Sequence, residues 1–198
     1  MRQIGQIKQI QVQRTSLKRG EKPQRYYDPS PILPVEQLLL TSRGVFGITA
    51  QREQFVDVHH ADHPTSRHRQ ENSVSVGFTS HYRRMRERFG EHLVDGVAGE
   101  NILVETSEEF SLEDLGARLA IQARQSGELA YLEDLSVATP CVEFSRFALN
   151  ELMAVPAETL RGALIFLDAG RRGFYANVSV EKIYSVRVGD SVFVEAEV

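Results

Sequence analysis

Apolar residues in this chain recur at every second position in short runs, and each run stops within a few residues at glycine, proline or a polar stretch. Ile4, Ile10 and Val12 share one parity within residues 2–13, and Ser73 to Phe78 alternates in the same way. A period of two puts successive side chains on opposite faces of extended backbone, so these runs predict strands with one face turned inward. Leu38 to Leu40 and Phe55 to Val58, set around Gly44 and Gly47, give two more. Ile102 to Val104 follows, then Leu119 to Ala123 and Leu129 to Val137, joined by Gln125-Ser126-Gly127. Phe174 to Val180 and Ser191 to Val198 complete the set. Helical spacing is confined to three places. Tyr82, Met85 and Phe89 share a face behind a cap at Thr79 or Ser80, Phe144, Phe147, Ala148 and Leu152 do so within 141–153, and Ala157 to Phe166 predicts a third helix. Many short strands with a few helices between them predict a mainly β fold: a barrel or strongly bent sheet with peripheral helices. At 198 residues, without internal repeats, one domain spanning 1–198 is expected.

Several function classes are disfavoured. The longest apolar run, Ala163 to Leu167, is far below the roughly 20 residues a membrane-spanning helix needs, and no apolar segment follows the first charges as in a secretory leader. A single cysteine permits no intrachain disulfide and suits a reducing, cytoplasmic setting. A formal net charge of −4 argues against nucleic acid as partner. The charge is uneven: Arg2, Lys8, Arg14, Lys18, Arg19, Lys22 and Arg25 face only Glu21 and Asp28 within residues 1–34. That stretch is read as a solvated strand and proline-rich loop, or as a docking surface for an anionic partner.

Four local patterns carry chemistry. In Thr139-Pro140-Cys141, Thr139 can cap a helix and Pro140 suits its first position, which leaves Cys141 in the first turn among unpaired backbone N–H groups. Such a setting favours a thiolate, which is both a soft metal ligand and a sulfur nucleophile; the bland alternative is a buried structural cysteine. Gly99-Glu100-Asn101 precedes a strand, with glycine allowing close backbone approach and asparagine offering donors and acceptors. In Gly170-Arg171-Arg172-Gly173 two guanidinium forks stand between glycines, suited to phosphate or carboxylate. The fourth is a polar loop, 59–72, holding His59, His60, His63 and His68 with Asp57 and Asp62 close by. His60-Ala61-Asp62-His63 matches half of the HxHxDH pattern of dinuclear metallo-hydrolases, but Val58 replaces its first histidine. Loop histidines with no metal are expected there, and a zinc or iron hydrolase is the minor alternative.

The order of these patterns is more specific than any one of them. A strand and capped helix over Asn72 to Arg86 precede Val97-Ala98-Gly99-Glu100-Asn101-Ile102. Then come Leu135-Ser136-Val137-Ala138-Thr139-Pro140-Cys141, Gly170-Arg171-Arg172-Gly173-Phe174-Tyr175 and Val188-Gly189-Asp190. The succession resembles the MOSC family, named after the C-terminal part of molybdenum-cofactor sulfurase, over residues 44–195, with 1–43 as an N-terminal strand and loop. The resemblance implies a MOSC-type β-barrel with a few peripheral helices. It implies the molybdenum cofactor (molybdopterin), with Cys141 as catalytic group and metal ligand. Pterin and phosphate would be held from among Gly99, Glu100, Asn101, Arg171, Arg172, Ser73, Thr79 and Thr139. It further implies reduction of small N-hydroxylated compounds with electrons from a separate donor protein. The alternative is a sulfur carrier that takes sulfur from a donor as a persulfide on Cys141. Pyridoxal phosphate is associated with the family through sulfurases whose desulfurase domain this chain does not contain. Two departures stand out. Amidoxime-reducing relatives carry arginine where this chain has Gly99, and they add an N-terminal region where it has a short basic segment. The chemistry predicts that Cys141 opens a helix facing a pocket bordered also by Asn101 and the Arg171–Arg172 turn.

Overall fold

The computed structural model describes residues 1–69, 71–151, 155–178 and 182–195. The chain opens with β1 (Arg2–Gln13), the hairpin β2 (Lys18–Arg19) and β3 (Tyr26–Tyr27), then β4 (Ile32–Pro34), β5 (Gln37–Thr41), β6 (Gly44–Ile48) and β7 (Gln54–Val56). After a long loop come β8 (Val74–Phe78), α1 (Thr79–Phe89), β9 (Ile102–Glu105), α2 (Leu112–Leu115), β10 (Arg118–Gln122) and β11 (Leu129–Val137). Helices α3 (Val142–Ala148) and α4 (Ala157–Asp168) lead to β12 (Phe174–Asn177), β13 (Tyr184–Val186) and β14 (Ser191–Val194).

Strands β14, β10, β11, β12, β8, β9 and β1 are hydrogen-bonded in that order, and β14 pairs again with β1, so the sheet closes into a barrel. Every pairing in the barrel is antiparallel except β8 with β9, which α1 links as a crossover. Closure requires strands to coil, and the register shifts supply it: between Gln3 and Gly5 and between Ile7 and Gln9 in β1, and between Glu133 and Ser136 in β11. At Gly5 the barrel wall is so close that a Cβ would collide with the Glu105 carbonyl oxygen. The alternation read from the sequence fills the interior with Ile4, Ile10, Val74, Val76 and Phe78, among others; Ile7, of the opposite parity, joins them between the two register shifts of β1, and a smaller sheet, in the order β13-β5-β6-β7, adds Leu38, Leu40 and Val45. Burying this many aliphatic and aromatic side chains, at about 1.5–3 kcal/mol each, is what holds the barrel shut.

A second core lies outside the barrel, where Tyr82 and Met85 of α1, Phe144 of α3 and Leu167 of α4 pack with Leu103 of β9 and Tyr27 of β3. Between the two cores β8 is buried on both faces, and its Ser75 borders the cleft described below. Among the described residues no helix is long and apolar enough to cross a membrane.

Most sequence expectations match, with instructive differences. β8 runs directly into α1, so the cap position falls on Phe78 with no side-chain cap, not on Thr79 or Ser80. The Thr79 hydroxyl instead donates to the Thr106 carbonyl and accepts the Thr106 N–H, pinning α1 to the loop after β9. α2 has four residues, too few for a period to show in the sequence, although the Ser111–Asp114 capping box marks its start. α3 ends at Ala148, and Leu152, Val180 and the final residues of the expected last strand lie outside the described residues.

His81, in α1, makes one measurable prediction. Its Nδ1–H donates to the Gly170 carbonyl, and its Nε2 accepts the Phe110 N–H. Protonating Nε2 would set two N–H groups against each other, and burial on its own already lowers the pKa, which falls to about 4. An unfolded chain binds that proton near the ordinary value of 6.5, so stability falls as pH drops from about 6.5 to 4. The loss is about 3 kcal/mol from this group. Urea unfolding across that range should show the slope, and His81→Asn, although less stable throughout, should flatten it.

Candidate functional site

A cleft of ≈ 970 Å³ opens beside the barrel where the ends of β1, β8, β11 and β12 meet the start of α3, the β2–β3 hairpin and the loop after β7. That volume lies at the upper end of the range for small-molecule sites. Cys141 stands on its wall. Pro140 sits just outside the helix, and Cys141 itself, extended at φ −105° and ψ 158°, is the cap of α3. Its Sγ accepts the Phe144 N–H at 3.4 Å. Thr139 therefore is not the cap, as expected from the sequence, but an exposed residue of the cleft rim. One residue of displacement puts the sulfur at the helix N-terminus and leaves it half-buried, facing the cleft.

The cleft is cationic. Lys18, Arg67, Arg69 and Arg172 line it, with His59 and His68, against the single carboxylate of Glu71. Arg67 and Arg69 make no ion pair among the described residues, and Lys18 reaches Glu143 only at 3.8 Å. Arg172 is anchored by a 2.8 Å bond to the Ala98 carbonyl and lies over the Phe144 ring. Burial works against its charge, but Tyr175, Tyr27 and Glu100 more than offset this, so it stays protonated. Four cationic side chains lining one cleft, Arg67 and Arg69 with no ion pair among the described residues, favour an anionic ligand.

Of the residues singled out in the sequence, Gly99, Thr139, Cys141 and Arg172 line this cleft together. Gly99 has φ +88°, and a Cβ there would approach Leu17 to 2.7 Å. Its glycine thus lets the turn pass beneath the hairpin. Gly173 serves the neighbouring turn, since at φ +109° a Cβ would lie 2.8 Å from the Val76 carbonyl.

The others lie elsewhere. Arg171 turns away, donating to the Phe166 carbonyl and stacking over that ring. Thr79 is committed to Thr106, and Ser73 is buried without lining the cleft; Asn72 and Ser75 line it in their place. Glu100 is buried beneath the floor, taking the Tyr82 hydroxyl at 2.7 Å while its Oε1 has no partner. Burial pushes its carboxyl up, and Arg172 and Tyr82 only partly offset that.

Asn101 does not border the cleft as anticipated. Its Oδ1 accepts the Ser75 N–H and hydroxyl at 3.0 and 2.9 Å, and its Nδ2 donates to the Gln11 carbonyl and to Asp57. An amide has four hydrogen bonds to give, and all four are spent inside the protein. Asn101 ties β1, β8 and the Asp57 loop together one layer below the cleft.

No motif in the sequence marks Arg67 or Arg69 as lining groups or the histidine loop as a wall, and Lys18 and Tyr175 stand out only as members of the basic N-terminal stretch and of the pattern after the arginine turn. The signal was present: basic residues in a long loop otherwise lacking apolar anchors. Backbone bonds fix that loop, from Arg67 N–H to the Val58 carbonyl at 2.7 Å and from Val58 N–H to the Gln13 carbonyl at 2.8 Å. The half-matched HxHxDH residues are each engaged otherwise. His60 is buried against Phe46 and accepts the Asp62 N–H, Asp62 pairs with Arg43, and His63 bonds the Arg14 carbonyl. Among the described residues no three potential ligands gather into a metal site. Several of the basic N-terminal residues are paired, Arg2 with Glu108, Lys8 with Asp95, Arg19 with Asp28 and Arg25 with Glu143.

Residues 41–193 match the family model described as MOSC domain. The fold is similar to that of the YuaD protein from Bacillus subtilis, at 14% identity and TM-score 0.60, over 97% of this chain and 96% of that one. It is similar also to a hypothetical protein, at 12% identity and TM-score 0.55, over 99% and 70% of the two chains. YiiM from Escherichia coli is 14% identical with TM-score 0.50, over 84% of this chain and 66% of its own. Such identities establish likeness of fold. No curated protein matches the sequence.

Proposed function

The chain belongs to the MOSC domain family, and from that premise we propose that it holds the molybdenum cofactor in the cationic cleft, with Cys141 as ligand to the metal, and reduces N-hydroxylated compounds. The family is generally associated with that cofactor. The observation that carries the reading is the Cys141 sulfur at the cap of α3, open to a cleft ringed by Lys18, Arg67, Arg69 and Arg172. The donor set fits the group: a soft thiol for a soft metal site, and guanidinium forks for a phosphate. The cleft is large enough for a ligand of that size. When bound, the cofactor would supply two-electron reduction of an N–O bond.

The chain's own residues do the rest. Lys18, Arg67 and Arg69 neutralise the anionic end of the ligand at the rim. Arg172, fixed by Ala98 and Phe144, presents a charge that cannot swing away. Thr139 and Tyr175 line the cleft with hydroxyls that have no hydrogen bond among the described residues, and can orient polar edges. Asn101 and Asp57 hold the floor rigid from below. The electron donor is a separate protein, and the substrate is a small molecule.

The test is to express the protein with molybdate supplied, purify it without added metal and measure molybdenum, zinc and iron. About one molybdenum per chain, with turnover of an N-hydroxylated amidine by reduced viologen, is the expected result. Zinc or iron at that level without molybdenum sinks the reading. A persulfide on Cys141 in the mass spectrum, without turnover, would transfer it to a sulfur carrier.

A further inference from the structure

Beyond the cysteine, the cleft wall contains a second chemical device, built from His59, which the reading above leaves idle, and from Asp57 beneath it. Asp57 is fully buried, and its carboxylate accepts four hydrogen bonds. Oδ2 takes the Gln13 N–H at 2.7 Å and Asn101 Nδ2 at 3.0 Å, and Oδ1 takes the His59 N–H at 2.8 Å and His59 Nδ1 at 3.0 Å. Burial alone would raise this carboxyl, but the bonds from His59 and from the backbone outweigh it and hold it below the ordinary carboxylate range. An ionised Asp57 can only accept, so Nδ1 of His59 carries a proton and the ring cannot turn. The His59 side chain is 18% exposed and lines the cleft. Its Nε2 makes no hydrogen bond among the described residues. A buried carboxylate that fixes an imidazole by one nitrogen, and leaves the other for a ligand, is the arrangement of an acid–base pair.

We infer that His59, oriented by Asp57, delivers a proton from Nε2 to the oxygen that leaves a ligand held in the cleft. The inference rests on the proposed reduction. The overall change is R–NH–OH + 2 e⁻ + 2 H⁺ → R–NH₂ + H₂O. The N–O bond breaks, and its oxygen takes the His59 proton and leaves as water. The two electrons come from the external reductant, a reduced viologen in the assay, and the second proton reaches nitrogen from solvent. His59 ends neutral with Nδ1–H still on Asp57, and solvent reprotonates Nε2. Other cleft groups suit the task less. The arginines do not release protons near neutrality, Tyr27 is committed to the Val97 carbonyl, and His68, which bonds the His59 carbonyl through Nδ1, has no buried carboxylate behind it.

Two measurements test this. Nitrogen NMR of the imidazoles needs no cofactor: in neutral His59, Nδ1 should be protonated and Nε2 bare, and the opposite tautomer overturns the inference. The second compares His59→Asn, whose amide can still reach Asp57, with wild type in the loaded protein on two substrates. With an N-hydroxy compound, whose oxygen needs a proton to leave, the variant should lose about 100-fold in kcat. With an O-acyl hydroxylamine, whose carboxylate leaves unaided, the loss should be several-fold at most. Equal losses on both substrates would make His59 merely structural and overturn the inference while leaving the reductase reading intact. No turnover of either substrate by loaded wild type would sink both.

Discussion

Cys141→Ala is expected to abolish reduction of an N-hydroxylated substrate by the cofactor-loaded protein, a loss of at least about 1,000-fold. The chain has no other cysteine to take over, and a methyl group cannot bind a metal. Cys141→Ser should do nearly as badly, because a hydroxyl is a harder and far less acidic donor than a thiol. The serine variant also controls for folding, since a hydroxyl at the cap of α3 can accept the Phe144 N–H that the sulfur now accepts. Stability should therefore hold in Cys141→Ser, or rise slightly, while turnover and bound molybdenum are lost together. Full turnover in either variant would remove the cysteine from the chemistry and with it the centre of the proposal.

The second large effect is on stability. Asp57→Ala should destabilise the fold by about 4–5 kcal/mol, because four donors lose their acceptor and each costs about 1 kcal/mol at the low end of the range for buried groups. The donors stranded are the Gln13 N–H, the Asn101 amide and the two of His59. In a chain of this length that corresponds to a fall in Tm of roughly 10 °C. Asp57→Asn should recover only part of it, since its NH₂ must face a donor on one side. The wild-type contribution has a defined pH sense. The folded carboxyl is held low, so its stabilisation is complete at neutral pH and disappears as pH falls through that depressed value. Urea midpoints near pH 7 and pH 3 measure both effects; an Asp57→Ala midpoint equal to wild type at pH 7 would show that the network stabilises nothing.

The barrel was legible because its signal is local. Strand alternation needs only neighbours two residues apart, and the residues of correct parity, such as Ile10 and Phe78, did reach the interior. The site was legible in part. Cys141, Arg172 and Gly99 belong to turns whose local chemistry, a helix start or a φ accessible to glycine, announces itself. Asn101 illustrates the limit. A polar residue in a tight motif reads as a ligand, and only the register of three strands reveals that its amide is already saturated. Arg171 and Arg172 are equivalent on paper, yet the turn sends one to the Phe166 carbonyl and the other to the cleft. The histidine loop hid for a different reason: its residues acquire meaning from a buried aspartate and from the end of β1, 44 positions away.

The pairing of β1 with β14, Gln3 against Phe193, has a consequence for how the molecule comes into being. During synthesis β1 leaves the ribosome well before β14, because every other strand of the barrel lies between the two in the chain. Until then β1 and β10 both expose raw edges, which are templates for pairing with other chains. The nascent domain is thus open along one seam for nearly the whole of its translation, at about 5–20 residues per second. Its yield in a cell depends on protection of that seam as much as on the stability of the closed barrel.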